Sequence, residues 1–272
     1  LLLLPLGAPG ARPSRRYLPI ATVQYRGFPS PLSLAPGLRT GMINHICLEA
    51  MGGYRFASVG TALALAVGYQ QSQLQWFHEG AEQDSTFHGL EGRLSVAQQV
   101  AGQWNVAAYG VLGIASDFSR LLWDDSRVTL GVATLYRYRD DLTFTFGAMY
   151  TTSFVIPLPL PLLRIDYRQE GFRLDLHIPK GIGVWIIPHQ AVEIGLVVRT
   201  TNLRYGIHGG EALGPQLAYL NVRCGLAARL FLFKGLHFEL EGGQNTRYVE
   251  AAGRAILTAE GWYMGSALGY ML

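Results

Sequence analysis

Between residues 163 and 178 every second residue outside one turn is polar or charged. Arg164, Asp166 and Arg168 alternate with Leu163, Ile165 and Tyr167; after Gln169-Glu170-Gly171, Arg173, Asp175 and His177 alternate with Phe172, Leu174, Leu176 and Ile178. In an extended strand successive side chains point to opposite faces, so this spacing separates charge from oil completely. The same grammar continues in Glu193, Arg199, Arg223, Arg229, Glu239, Glu241 and Arg247, each on the polar parity of its segment. Charges of both signs on one face can do two things. They can pair across each hairpin and stiffen a filled interior, or they can line a path for small polar solutes. The ion-paired interior is the first expectation.

Other chemistry-bearing residues give weaker patterns. His45, Cys47 and Glu49 share a parity, but three metal ligands at alternate positions of one strand converge poorly without others. The stretch 78–84 holds His78, Glu79, Glu82 and Asp84 and reads as a solvated loop. Neither a His-Glu-x-x-His pair nor a Gly-x-Ser-x-Gly elbow is present. None of His45, His78, His88, His177, His189, His208 and His237 is followed two residues later by Ser. A Ser and a His can still meet in space, since triads are recognised by geometry. No metal and no cofactor is expected. Cys47 and Cys224 are the only thiols, so there is no disulfide framework; Cys224 falls on the apolar parity.

The elements that carry these residues follow from composition and period. Of 272 residues only 15% are charged, against roughly 25% in an ordinary soluble protein. Gly supplies 33 residues, aromatic residues 11%, and the mean hydropathy is +0.18. That excludes a disordered chain and fits a water-soluble enzyme poorly. A bundle of transmembrane helices is excluded too, because no interior run reaches about 18 apolar residues. The net charge of +3 is scattered, with no basic block of the kind that binds nucleic acid.

Period-two alternation instead recurs along the chain. Val128 to Tyr150 reads as two strands joined by Asp140-Asp141, and Leu220 to Glu241 as two more joined by Lys234-Gly235. Ala62, Ala64, Ala66, Gly68, Ala107, Gly113, Gly131, Ala133 and Gly147 form a wall of small residues on the polar parity, either packing against long arginines or smoothing a path. Short connections centre on Gly52-Gly53, Ala101-Gly102, Asp140-Asp141, Glu170-Gly171, Pro188-His189 and Lys234-Gly235; longer ones lie near 27–41, 71–86, 116–126, 153–160, 207–216 and 250–260, and 179–183 is a tight link. The count is about 14 strands, with 12 as the alternative and 181–187 the weakest. Many runs reach ten residues, the length a tilted strand needs to cross a bilayer. Tyr69, Trp76, Trp104, Trp123, Tyr136, Tyr138, Tyr150, Trp185, Tyr205, Tyr219, Tyr248 and Trp262 lie near run ends, where aromatic girdles form.

On these residues the chain resembles bacterial outer-membrane β-barrels, and more loosely the poorly characterised porin-like families that carry Pro beside strand ends, as in Ile156-Pro157-Leu158-Pro159 and His177-Ile178-Pro179. The final run Trp262, Met264, Leu268, Tyr270 resembles the signal read by the barrel-insertion machinery, ending in Leu272 rather than Phe or Trp. The resemblance implies an all-β fold: a single closed antiparallel transmembrane barrel over 13–272, with short periplasmic turns and longer extracellular loops. Leu1–Leu4 and the small residues to Ala11 read as a signal-peptide remnant or disordered tail over 1–12. The expected location is the outer membrane of a Gram-negative bacterium. Expected partners are outer-membrane lipid, lipopolysaccharide and other outer-membrane proteins, with no nucleic acid. The first functional expectation is a non-catalytic structural or accessory subunit of an outer-membrane assembly. A narrow channel for small polar solutes comes second and a lipid hydrolase third.

Overall fold

The computed structural model describes residues 19–28, 32–35, 38–56, 60–78, 81–120, 122–153, 158–208, 216–233, 235–251 and 254–271. The expected signal remnant at 1–12 lies outside them, as do the side chains of His78, Glu79, Glu82 and Asp84. Alternation produces strands throughout: β1 (Pro19–Phe28), β2 (Leu32–Ala35), β3 (Leu38–Phe56), β4 (Thr61–His78), β5 (Ala81–Ala101), β6 (Trp104–Ser116), β7 (Ser126–Arg139), β8 (Leu142–Thr151), β9 (Leu158–Gln169), β10 (Phe172–Ile178), β11 (Gly181–His189), β12 (Val192–Gly206), β13 (Gln216–Phe233), β14 (Leu236–Ala251) and β15 (Arg254–Met271). One short 3-10 turn, Trp123–Asp125, precedes β7.

From β2 onward each strand pairs antiparallel with its sequence neighbour, and β1 pairs with β15 on one side and β3 on the other. The ring is therefore closed, which is the way a sheet hides its edges from lipid. The short β2 pairs only with β3, above the β1 pairing, so it extends the β1 position and the wall has 14 strands. Tight turns at 102–103, 140–141, 170–171 and 190–191 gather at one end, with the start of β1 and the end of β15. At the opposite end lie the wider connections 117–125, 152–157 and 207–215.

Polarity is inverted relative to a soluble protein. Leu226 is 63% exposed and Met264 73%, whereas Arg247 and Asn221 are fully buried. Along β13 the outward parity runs from Leu220 to Leu232, a span of twelve residue steps. At about 3.3 Å per residue and a tilt of about 45° that band is about 28 Å tall, the height of a bilayer's hydrocarbon core. At the tight-turn end Trp104 packs on Tyr136, with ring centroids 4.5 Å apart, and edge-on to Phe146, a lipid-facing aromatic cluster.

Several elements depart from the sequence reading, among them the expected connection 27–41, most of which is strand, and Pro188-His189, which belongs to β11 with the turn after it. β3 runs straight through Gly52-Gly53, so the turn falls beyond Phe56. The segments 71–86 and 250–260 are mostly strand: β4 reaches His78, β5 starts at Ala81, β14 reaches Ala251 and β15 starts at Arg254. In these stretches the alternation of oil and charge fades because a strand that rises past the membrane no longer needs an apolar outer face. Trp185, Tyr205 and Tyr219 are not girdle residues; all three are buried inside the ring. Parity accounts for Trp185, whose neighbours Val184 and Ile186 take the lipid side.

The wall of small residues is not a smooth surface. Tyr109 lies opposite Gly131, Trp185 opposite Gly195 and His237 opposite Gly269, and each ring lies across its glycine. A Cβ on Gly131 would sit inside the Tyr109 ring. Gly131→Ala should therefore destabilise the barrel by about 1–3 kcal/mol through overpacking. Gly92→Ala, where a Cβ meets nothing within 4 Å, should be close to neutral. Midpoints of heat-induced mobility shift on gels would compare the two, and equal midpoints would refute the covered-glycine packing.

Candidate functional site: the barrel lumen

The predicted charges converge inside the ring and sort into two storeys. Nearer the tight turns an ion ladder runs from β9 to β15. The Glu193 carboxylate, 1% exposed, receives Arg173 at 3.1 Å, Arg229 at 3.0 Å and Arg168 at 3.6 Å. Arg229 also holds Glu239 at 2.6 Å; Glu239 takes Arg199 at 2.7 Å; Arg199 takes Glu241 at 2.8 Å; and the Tyr263 hydroxyl donates to Glu241 at 2.7 Å. Arg164 pairs with Asp166 at 2.8 Å and Arg173 with Asp175 at 2.7 Å. The Arg229 guanidinium rests over the Trp185 ring, 4.6 Å from its centroid.

The expected pairing across each hairpin holds for Arg229 opposite Glu239. It does not hold in the β9–β10 hairpin. There the register sets Arg168 opposite Arg173 and Asp166 opposite Asp175, so like charges face each other. The pairs run along each strand instead, because residues two apart share a face within reach of an arginine.

The wider-loop end is built differently. The β10–β11 hairpin stops early, leaving a notch above Leu163 on β9 and Arg199 on β12. The amide of Arg168 points to β8, so Pro159 and Pro161, on the other parity, turn their nitrogens to the notch. Proline lacks an N–H to leave unpaired there, which suits a free edge. On the other side, the upper part of β12, still paired to β13 as far as Gly206, leans across the mouth. Gly206 bridges to Ser116 on β6, and the Asp117 amide donates to the Gly206 carbonyl at 3.2 Å.

Side chains bolt this crossing down. The Tyr205 and Ser72 hydroxyls are 2.7 Å apart, and Ser72 lies 2.6 Å from His45 Nδ1 on β3. Tyr205 packs against Phe87, with centroids 5.1 Å apart, and the Arg127 guanidinium lies over the Tyr205 ring at 5.1 Å. His208 Nε2 is 2.9 Å from Asp125, and the His208 amide donates to Asp117 at 2.9 Å. Asn202 and Arg204 donate to the carbonyls of Ser153 and Thr152, spanning the notch. Ser72 carried no signal in the sequence, Tyr205 was expected in an aromatic girdle, and nothing pointed to Asp125 and His208 as partners. Their partners lie up to 133 residues away, and no local pattern encodes that meeting.

Between ladder and bolt lies a cavity of about 680 Å³, lined in part by Glu49, Glu91, Arg93, His177, Arg199 and Arg223. Arg93 bridges Glu91 at 2.9 Å and Glu49 at 3.3 Å. Among the described residues no group of three His, Cys, Asp or Glu side chains is placed to hold a metal ion; His45 is turned to Ser72 rather than gathered with Cys47 and Glu49.

A closed ring with an apolar exterior and an ion-paired interior defines an integral membrane β-barrel of the outer-membrane type. The chain belongs to the family described as "Domain of unknown function (DUF6268)", whose model matches residues 61–255. No curated protein matches it. Similar solved structures include the NanC porin, at 9% identity and TM-score 0.42, covering 93% of this chain and 100% of that one. The KdgM porin in complex with disordered oligogalacturonate is similar at 9% identity and TM-score 0.38, with 92% and 99% covered. The translocator domain of the autotransporter NalP from Neisseria meningitidis is similar at 11% identity and TM-score 0.39, with 95% and 90% covered.

Proposed function

We propose that the protein is a non-catalytic barrel of the Gram-negative outer membrane, serving as a structural or accessory subunit of an outer-membrane assembly rather than as a standing pore. The observation that carries this reading is the crossing of the mouth by β12, bolted through Tyr205, Ser72 and His45. The ion ladder fills the lower storey with paired side chains. The apolar band would contact outer-membrane lipid, and the wider connections would meet lipopolysaccharide or a neighbouring protein.

A second reading, a narrow channel for small polar solutes, is favoured by the cavity beneath the bolt. It requires β12 to swing out of the mouth. Single-channel recording in planar bilayers separates the two. The wild-type protein, shown folded by its heat-dependent gel mobility, should give no sustained conductance steps. A Tyr205→Ala, His208→Ala double variant should give intermittent steps, because the crossing loses two of its anchors. Tyr205→Phe removes only the hydroxyl and should remain nearly silent. Stable open steps from the wild-type barrel would overturn the closed reading in favour of the channel.

A further inference from the structure

The two storeys of the lumen differ in charge balance. In the ladder, Arg164, Arg168, Arg173, Arg199 and Arg229 face Asp166, Asp175, Glu193, Glu239 and Glu241, and positive and negative charges cancel. The cavity above does not balance. Its described lining adds Arg93, Arg127, Lys180 and Arg223 against only Glu49 and Glu91, and both of those carboxylates are already engaged by Arg93.

Arg127 makes the imbalance specific. Its guanidinium stacks on Tyr205, and Nε and Nη2 are buried without a hydrogen-bond partner among the described residues. Buried polar groups are ordinarily satisfied, and a guanidinium held without an acceptor is the exception that asks for one. Planar oxyanions satisfy a guanidinium best, through two parallel hydrogen bonds. Lys180, in the turn of the β10–β11 hairpin, adds a compact charge to the same space.

We propose that this cavity is a binding site for a small organic oxyanion bearing carboxylate or phosphate groups, anchored by Arg127 with Lys180 and Arg223 contributing to the field. A volume of about 680 Å³ falls within the usual range of small-molecule sites, roughly 300–1,000 Å³. Ser153 and Asn202 also line the cavity, and the hydrogen bond between them spans the notch beside it. The site goes beyond the structural role proposed above.

The test is titration calorimetry on the intact barrel in neutral detergent, with citrate, inorganic phosphate and glucose as probes. The expected result is saturable binding of citrate or phosphate, with the stronger of the two identifying the preferred group, and no binding of glucose. Affinity should fall with added potassium chloride. Arg127→Gln should weaken binding at least tenfold. Lys180→Gln, in an exposed turn where folding is not at stake, should weaken it several-fold. No saturable binding of either anion by the folded wild-type barrel would overturn the proposal. Binding left unchanged by both substitutions would overturn it equally.

Discussion

Glu193→Ala should cost the barrel about 3 kcal/mol or more, the largest loss expected from any single carboxylate of the ladder. Glu193 is 1% exposed and is shared by three arginines on three strands. Two of the three keep another partner when it is removed: Arg173 retains Asp175 and Arg229 retains Glu239. Arg168, 45% exposed, can turn to water. The cost therefore falls toward the lower end of the range of about 3–5 kcal/mol for breaking a buried pair. Glu193→Gln keeps acceptor oxygen at nearly the same volume and should cost less. Asp141→Asn is the comparison, because its partner Arg139 is 56% exposed and such surface pairs contribute about 1 kcal/mol at most. Urea titration in lipid vesicles, followed by tryptophan fluorescence, reads all three. A Glu193→Ala midpoint no lower than that of Asp141→Asn would mean that the ladder is ornamental.

Leu226→Arg should destabilise the barrel by about 2–4 kcal/mol when it is refolded into a bilayer, because it places a charge near the midplane on the lipid face. Leu226 is 63% exposed and central in the outward row of β13. Leu232→Arg, on the same row beside the tight turn, should cost only about 0–1 kcal/mol, since the side chain reaches the interface. The gradient between the two sites is the diagnostic. A water-exposed apolar patch would tolerate arginine equally at both, so equal effects in lipid vesicles would contradict the transmembrane assignment.

How far the sequence carried the reading varies by element. The strands and the two faces of the β9–β10 hairpin were legible, though not its charge pairing, because period two is the only period that sorts Arg164, Asp166, Arg168, Arg173, Asp175 and His177 from Leu163, Ile165, Tyr167, Leu174 and Leu176. The same parity placed Glu193, Arg199, Arg223, Arg229, Glu239, Glu241 and Arg247 inside. It also held the correct place of Trp185, which run-end counting misassigned. The long strands β4, β5, β14 and β15 were cut short, since alternation of oil and charge stops where water lies on both sides of the wall.

Strand number, inverted polarity and which residues face inward were determined by the sequence, for a physical reason. A strand between lipid and a polar interior must alternate residue by residue, and that requirement is local. Which inward charges meet was decided only by tertiary structure. Register sets Arg168 opposite Arg173, and ring closure decides that Glu193 collects three arginines. The crossing of the mouth was likewise invisible in the residues. It arises because one short hairpin leaves the edge of β12 without a neighbour, and an unpaired edge takes the nearest backbone it can reach, at Ser116. Contacts between strands 133 residues apart, such as Tyr205 on Ser72, depend on the curvature of the whole ring, which no segment encodes alone.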